Sequence, residues 1–308
     1  MSALSSALED YLALRRSLGF KLERAGKLLA QFVTHCEVMG ADVVTIELAL
    51  SWATLPEGTS PSWLGHRLSV VRGFARYLIL IDNRTEVPPS DILPVRSHRA
   101  TPYLYTEAEV ASMMRASKKL RSPLRRATLQ TVVGLLYVTG MRIGEVIRLD
   151  REDVDLTCGL LLVRNSKFGK SRELPVHDST IDILRAYARQ RDEFCPQVSS
   201  PAFFVSLAGT RLRYDNFHIA FRRLVREAGL TPRSPMCRPR PHDLRHSFAV
   251  STLIGWYRDG RDVESRLPSL STYLGHVHPA NTYWYLSSAP ELLGLAAERL
   301  ESASEART

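Results

Sequence analysis

Four short segments in the C-terminal two-thirds of the chain hold side chains that could do chemistry together. They are Thr139-Gly140-Met141-Arg142-Ile143-Gly144-Glu145, His242-Asp243-Leu244-Arg245-His246, Leu274-Gly275-His276 and Thr282-Tyr283-Trp284-Tyr285. Two arginines, two histidines and a tyrosine can build a metal-free site for phosphoryl transfer. Guanidinium groups clamp the non-bridging oxygens, imidazoles move protons or stabilise them, and a phenol oxygen attacks phosphorus. Phenol is a weak nucleophile at neutral pH, so its developing charge needs the cations that also hold the phosphate. On a helix, His242 and Arg245 lie on one side, and Pro241 suits the helix start. His242 and His246 are four apart and could in principle share a metal. The zinc motif of that spacing needs Glu after the first His, and this chain has Asp243, so no metal site is expected. Tyr283 and Tyr285 point to nearly opposite sides of any helix, so only one of them can attack a given phosphate.

In this order the segments resemble the tyrosine recombinase (phage integrase) family. The resemblance spans roughly the whole chain, with sharp motifs only in its C-terminal part. It implies that Arg142 is the first catalytic arginine, in a Thr-Gly-x-Arg-x-x-Glu setting, with Glu145 orienting it. A helix N-terminus at Arg142 would add free N–H groups suited to a phosphate. The His242-to-His246 segment supplies a catalytic histidine, His242, and the second arginine, Arg245. His246 is expected to pack or hydrogen-bond behind Arg245. His276 follows Leu274-Gly275 as the family's third box, a context that His278 lacks. Tyr285 lies nine residues after His276 and is therefore favoured over Tyr283 as the nucleophile. The run Lys167-Phe168-Gly169-Lys170-Ser171-Arg172-Glu173-Leu174-Pro175 resembles the family's β-hairpin, whose first lysine acts as general acid. Lys167 takes that role here, with Lys170 as the competing register; Lys170 and Arg172 are expected to contact DNA. The stretch from Arg245 to His276 is longer than is usual in the family, and the surplus is expected in a loop at Asp259–Ser269.

The chemistry implied by the resemblance is site-specific DNA recombination. Tyr285 would form a 3′-phosphotyrosyl bond and release a 5′ hydroxyl, and a hydroxyl from a partner duplex would resolve it. The covalent link keeps the bond energy, so no cofactor is implied, neither ATP nor metal. Two rivals share the residues: a type IB topoisomerase that religates the original strand, and a non-catalytic DNA-binding accessory relative. The wording Trp284-Tyr285-Leu286 and Pro290-Glu291-Leu292-Leu293 is similar to that of transposon recombinases rather than chromosome-dimer resolvases. A bacterial mobile element is the implied setting.

These residues need elements to position them. Apolar spacing predicts helices over 5–20, 25–39, 45–55 and 61–81, a small all-helical unit. In the first, Leu8, Leu12, Leu14 and Leu18 are expected on or near one face. In the second, Leu28, Leu29, Phe32, Val33 and Cys36 point inward, with Gly40 as the stop. In the fourth, Leu64, Leu68, Val71, Phe74, Ala75 and Leu78 form the stripe. That helix also carries Arg67, Arg72 and Arg76, and Arg72 and Arg76 share a face. By themselves they read as a solvated face; beside the recombinase motifs they read as DNA phosphate contacts. Pro88, Pro89, Pro94 and Pro102 break any period, placing a linker at 88–104. Thr106 and Glu109 form a capping-box pattern before an apolar run. Helices are then expected at 106–118, 122–138, 142–149, 178–193, 213–228, 242–256 and 289–301. Strands are expected within 159–176. The fold expected is mostly α with a small antiparallel β-sheet: a helical core-binding domain at 1–87 and a catalytic domain at 105–308. By resemblance the two would make a C-shaped DNA clamp.

Composition narrows the partners. The 308 residues are 44% hydrophobic, enough for two cored domains, and no apolar run reaches bilayer length. No basic segment precedes an apolar stretch at the N-terminus, so no signal peptide is expected. The four cysteines are far apart and form no CxxC pair, which suits a reducing compartment. The net charge is +9 and the pI near 9.6. Residues 1–100 carry 11 Lys and Arg against 10 Asp and Glu, whereas residues 101–308 carry 30 against 22. The excess cation charge therefore lies with the phosphoryl-transfer motifs, where polyanion binding releases counterions. Double-stranded DNA is the expected partner. A homo-oligomer, dimer to tetramer on DNA with or without companion recombinases, and a cytoplasmic, nucleoid-associated location complete the expectations.

Overall fold

The computed structural model describes residues 2–93, 100–164, 171–196, 198–276, 278–287 and 290–305. The chain divides into two compact units, Met1–Arg99 and Ala100–Thr308. Residues 94–99 of the expected linker lie outside the described residues.

The first unit packs helices α1 (Ala3–Ser17), α2 (Glu23–Val38), α3 (Ile46–Thr54) and α4 (Pro61–Leu78). Each start except that of α2 has a hydroxyl cap: Ser2, Thr45 and Ser60 accept N–H groups of Ser5, Leu48 and Trp63. Gly19 and Gly40, both at positive φ, follow α1 and α2. The inner faces of α2 and α4 are as their periodicity predicts, with Phe32, Cys36, Val71 and Phe74 fully buried. The first helix differs. Leu4, Leu8 and Tyr11 face the core, while Leu14 and Leu18 are exposed. Leu14 is six residues beyond Leu8 and has rotated off the stripe, and Tyr11 fills the place between, its ring 5.4 Å from those of Phe74 and Tyr77.

The second unit is built on α6 (Pro123–Thr139) and α10 (Pro241–Arg258), which pack on each other. Around them lie α5 (Glu107–Ser117), α7 (Ile143–Arg148), α8 (Asp178–Phe194), α9 (Tyr214–Glu227), α11 (Val263–Leu274), α12 (Ala280–Tyr283) and α13 (Pro290–Glu305). Thr106 and Glu109 form the capping box at α5, the Thr106 N–H bonding the Glu109 carboxylate at 2.8 Å. A small antiparallel sheet runs in the order β1 (Val154–Asp155), β2 (Leu160–Val163), β3 (Arg172–Pro175). Leu161 pairs with Leu174 and Val163 with Arg172, so the buried faces of Leu161, Val163 and Leu174 enter the main core. The fold is mostly α with a small antiparallel sheet. No described helix is long and apolar enough to cross a membrane.

One element departs from the expected loop at Asp259–Ser269. Only Asp259–Asp262 is loop; α11 begins at Val263 and carries Pro268 inside it. Val263, Leu267, Leu270 and Leu274 fall on one stripe and are all buried. That burial, with Asp262 capping the N–H groups of Glu264 and Ser265, outweighs the donor that Pro268 removes. The consequence reaches the site, because α11 ends at Leu274-Gly275-His276.

Candidate active site

Gly140 closes α6 in the left-handed conformation, φ +62°, and turns the chain so that Arg142 stands at the N-cap of α7. A Cβ on Gly140 would lie 2.5 Å from Cδ1 of Phe248, so only glycine fits this turn. Glu145, one turn into α7, folds back and accepts the Arg142 backbone N–H at 3.0 Å and its Nη1 at 2.8 Å. Arg142 also donates from Nη2 to the Gly275 carbonyl at 3.2 Å, while its side chain stays partly open to solvent.

Glu145 has a second cation. Arg172, at the start of β3, donates from Nη2 to Glu145 Oε2 at 2.8 Å and from Nε to the Tyr273 carbonyl at 2.9 Å. Burial would push the Glu145 carboxyl up, but Arg172 and Arg142 outweigh it and hold it at about 2. Arg172 was expected on a DNA-contacting hairpin. Its side chain is instead mostly buried and ties β3, α7 and the end of α11 together. Lys167 and Lys170 lie outside the described residues.

Arg245 sits in the second turn of α10 and is 1% exposed. Two carbonyls pin its guanidinium: Gly140 at 2.8 Å from Nη1 and Leu274 at 2.7 Å from Nη2. The Tyr285 hydroxyl is a further hydrogen-bond partner of its guanidinium. Burial, then the nearby Arg142 charge, lower its pKa to about 10, so it stays cationic at neutral pH.

Tyr285 lies on the 3₁₀ turn Trp284–Ser287 that continues α12. It is 2% exposed, whereas Tyr283 is 52% exposed, the opposite-face relation that their spacing requires. The Tyr285 ring stacks on His276 at 5.9 Å and 25° and meets His246 edge-on at 5.4 Å. His246 is buried between Tyr285, Trp284 at 5.2 Å and His242 at 4.8 Å. His242 is exposed at the first turn of α10.

His276 follows the left-handed C-cap Gly275 of α11, and its Nδ1 is 2.7 Å from the buried Thr282 hydroxyl. Burial, then Arg245, Arg142, His242 and Arg172, lower its pKa to about 3. Its imidazole is therefore neutral at pH 7. The role of Thr282 and the carbonyls of Gly140, Leu274 and Gly275 escaped the sequence reading; backbone acceptors and the burial of a hydroxyl leave no signature in residue type.

The structure thus brings Arg142, Glu145, His242, Arg245, His246, His276 and Tyr285 into one cluster. Of the three α4 arginines, Arg67 does not face solvent. It is 7% exposed, its guanidinium lies 3.7 Å over the Trp52 ring, and Nη2 donates to the Trp52 carbonyl at 2.6 Å. Its cation serves core packing rather than a DNA phosphate. Arg72 donates to the carbonyls of Pro88 and Pro89, both at 2.6 Å, and fastens the segment after α4. Arg76 is exposed.

The sequence model of the phage integrase family matches residues 104–291. The Sinorhizobium fredii protein y4rB, assigned as an integrase/recombinase, is 43% identical over 314 residues, covering 100% of both chains. Tyrosine recombinase XerC of Azotobacter vinelandii is 29% identical, covering 92% of this chain and 91% of its own. Among solved structures, the Tn1549 transposon integrase in complex with transposon right end DNA superposes with a TM-score of 0.69. It is 17% identical, and the match covers 99% of this chain and 100% of the other.

Proposed function

The chain belongs to the phage integrase family, and from that premise we propose that it cuts and rejoins double-stranded DNA through a covalent bond between Tyr285 and a 3′ phosphate. One observation carries the reading. The Tyr285 hydroxyl is hydrogen-bonded to Arg245, a cation held in place by two backbone carbonyls. A nucleophile and the charge that would bind its target phosphate are therefore already neighbours.

The roles proposed rest on the arrangement of the cluster and, for Lys167, on the family resemblance. Arg142 and Arg245 hold the non-bridging oxygens; Glu145 keeps Arg142 extended and Arg172 keeps Glu145 ionised. A phosphate arriving at Arg245 takes over its hydrogen bond and frees the phenol oxygen to attack. The new O–P bond forms as the P–O5′ bond breaks, with Lys167 protonating the leaving oxygen. His242 and His276 hold or move the protons of the exchanging oxygens. A 5′ hydroxyl from a second duplex then reverses the chemistry and releases Tyr285. The unit Met1–Arg99 acts as the core-binding domain, with Arg76 as its exposed α4 cation toward the DNA backbone.

Joining two duplexes needs a cleaving protomer on each, so the working form is a dimer to tetramer on DNA, with companion recombinases where the element encodes them. Movement of a bacterial mobile element is the biological setting proposed, supported by the transposon integrase among the similar structures, and the cytoplasm at the nucleoid is where its DNA substrate would lie. The test uses two duplexes with different labels and the ends of the element. Exchange of labels through a protein-linked 3′ intermediate is expected. Covalent linkage with religation of the original strands only would point to a relaxing enzyme, and no linkage would overturn the reading.

A further inference from the structure

The hydroxyl of Thr282 and the imidazole of His276 are 2.7 Å apart. From this contact we infer that Thr282 is a positioning residue that donates its hydroxyl hydrogen to Nδ1 of His276 and so keeps the remaining ring proton on Nε2. The inference deepens the proposed function and rests on it for its catalytic consequence.

The donor direction follows from where this hydroxyl can go. Thr34, Thr54, Thr128, Thr139, Thr252 and Thr272 each donate to the carbonyl four residues earlier in their helix. Thr282 cannot follow them inside its own helix, because α12 begins only at Ala280. Among the described residues its hydroxyl meets no backbone carbonyl, and at 1% exposure it does not reach water. A buried hydroxyl must spend its proton, and the lone pair of Nδ1 is the acceptor beside it.

The imidazole has its own reason to accept that proton. Burial disfavours its charged form, and repulsion from Arg245, Arg142, His242 and Arg172 adds to that, so the ring stays neutral. A neutral imidazole carries one N–H, on one nitrogen or the other. With Nδ1 occupied by Thr282, the N–H lies at Nε2, on the edge turned away from α12. His276 then offers a hydrogen-bond donor to a phosphate oxygen without adding a further cation. Tyr285 shares the same short segment as Thr282, three residues on, and stacks on the same ring. The tautomer and the nucleophile are therefore set by one piece of chain.

The test is 15N NMR of the histidine nitrogens in the full-length protein, with His276 assigned by its absence in His276→Gln. Wild type should show Nδ1 unprotonated and hydrogen-bonded, and Nε2 protonated. A proton on Nδ1 in wild type would overturn the inference with no further variant. Thr282→Val keeps the shape and removes the hydroxyl; it should populate both tautomers and slow covalent DNA cleavage by about 10-fold, whereas Thr282→Ser should restore the wild-type tautomer and rate. Equal loss in the Ser and Val variants would mean packing alone, and would also overturn it. Failure of Tyr285 to link to DNA in wild type would sink the proposed function, while the NMR result would still decide the hydrogen bond.

Discussion

Replacing Glu145 by Gln keeps the shape of the side chain and removes its charge, leaving Arg142 and Arg172 to face a neutral amide. Glu145 is buried and holds both guanidinium groups at 2.8 Å. Its carboxyl is held at about 2 against an ordinary 4.5, which corresponds to about 3 kcal/mol in favour of the ionised folded state. Removing one partner of a buried ion pair costs about 3–5 kcal/mol by independent precedent. Glu145→Gln should therefore lose about 3 kcal/mol of stability at pH 7. The pH dependence has a definite sign. A depressed carboxyl contributes fully above its unfolded value and loses its contribution as pH falls through the folded one. The gap between wild type and Glu145→Gln should thus be constant above pH 4.5 and shrink toward pH 2. The assay is urea unfolding of the full chain, read by amide hydrogen exchange of α7 and α10 so that only the second unit is scored. A gap under about 1 kcal/mol at neutral pH, or one that stays constant into acid, would mean that Glu145 does not hold the two arginines as an ion pair.

Other outcomes follow from the same geometry. Arg67→Ala should destabilise the first unit by about 2–3 kcal/mol, through the lost stacking on Trp52 and the lost hydrogen bond, with little change in DNA affinity; weaker DNA binding at unchanged unfolding midpoint would contradict this. Gly140→Ala should cost about 1–3 kcal/mol and slow cleavage, because its Cβ would meet Phe248 and its carbonyl holds Arg245. Gly19→Ala is the control: the same backbone sign, nothing within 4 Å of the added carbon, and no effect on cleavage expected. Cleavage should proceed in EDTA, since the proposed transition state is stabilised by guanidinium groups; a loss restored by added magnesium or zinc would overturn that mechanism.

Much of this arrangement was legible in the sequence, and the misses have physical causes. The helices around the site follow from apolar spacing and hydroxyl caps, as at Thr106 and Ser122, and these act locally. The opposite faces of Tyr283 and Tyr285 follow from helical geometry alone. Arginines were the weak point. Arg67 and Arg172 look like surface cations in sequence, yet one covers Trp52 and the other holds Glu145. Which environment an arginine meets depends on residues distant in the chain, 15 positions away for Trp52 and 27 for Glu145. The length comparison placed surplus residues in a loop at Asp259–Ser269, whereas the burial that makes Val263–Leu274 helical despite Pro268 depends on tertiary packing that sequence does not show. The strand β1 is only two residues long, too short for any period to register.

Covalent trapping on a suicide substrate nicked beside the scissile phosphate reads whether Tyr285 is the nucleophile. Tyr285→Phe removes only the phenol oxygen and should bind the target DNA as wild type does, yet leave no protein–DNA adduct on a denaturing gel. Tyr283→Phe, altering a side chain that faces solvent, should trap DNA normally. An adduct with Tyr285→Phe, or its loss with Tyr283→Phe alone, would contradict the account.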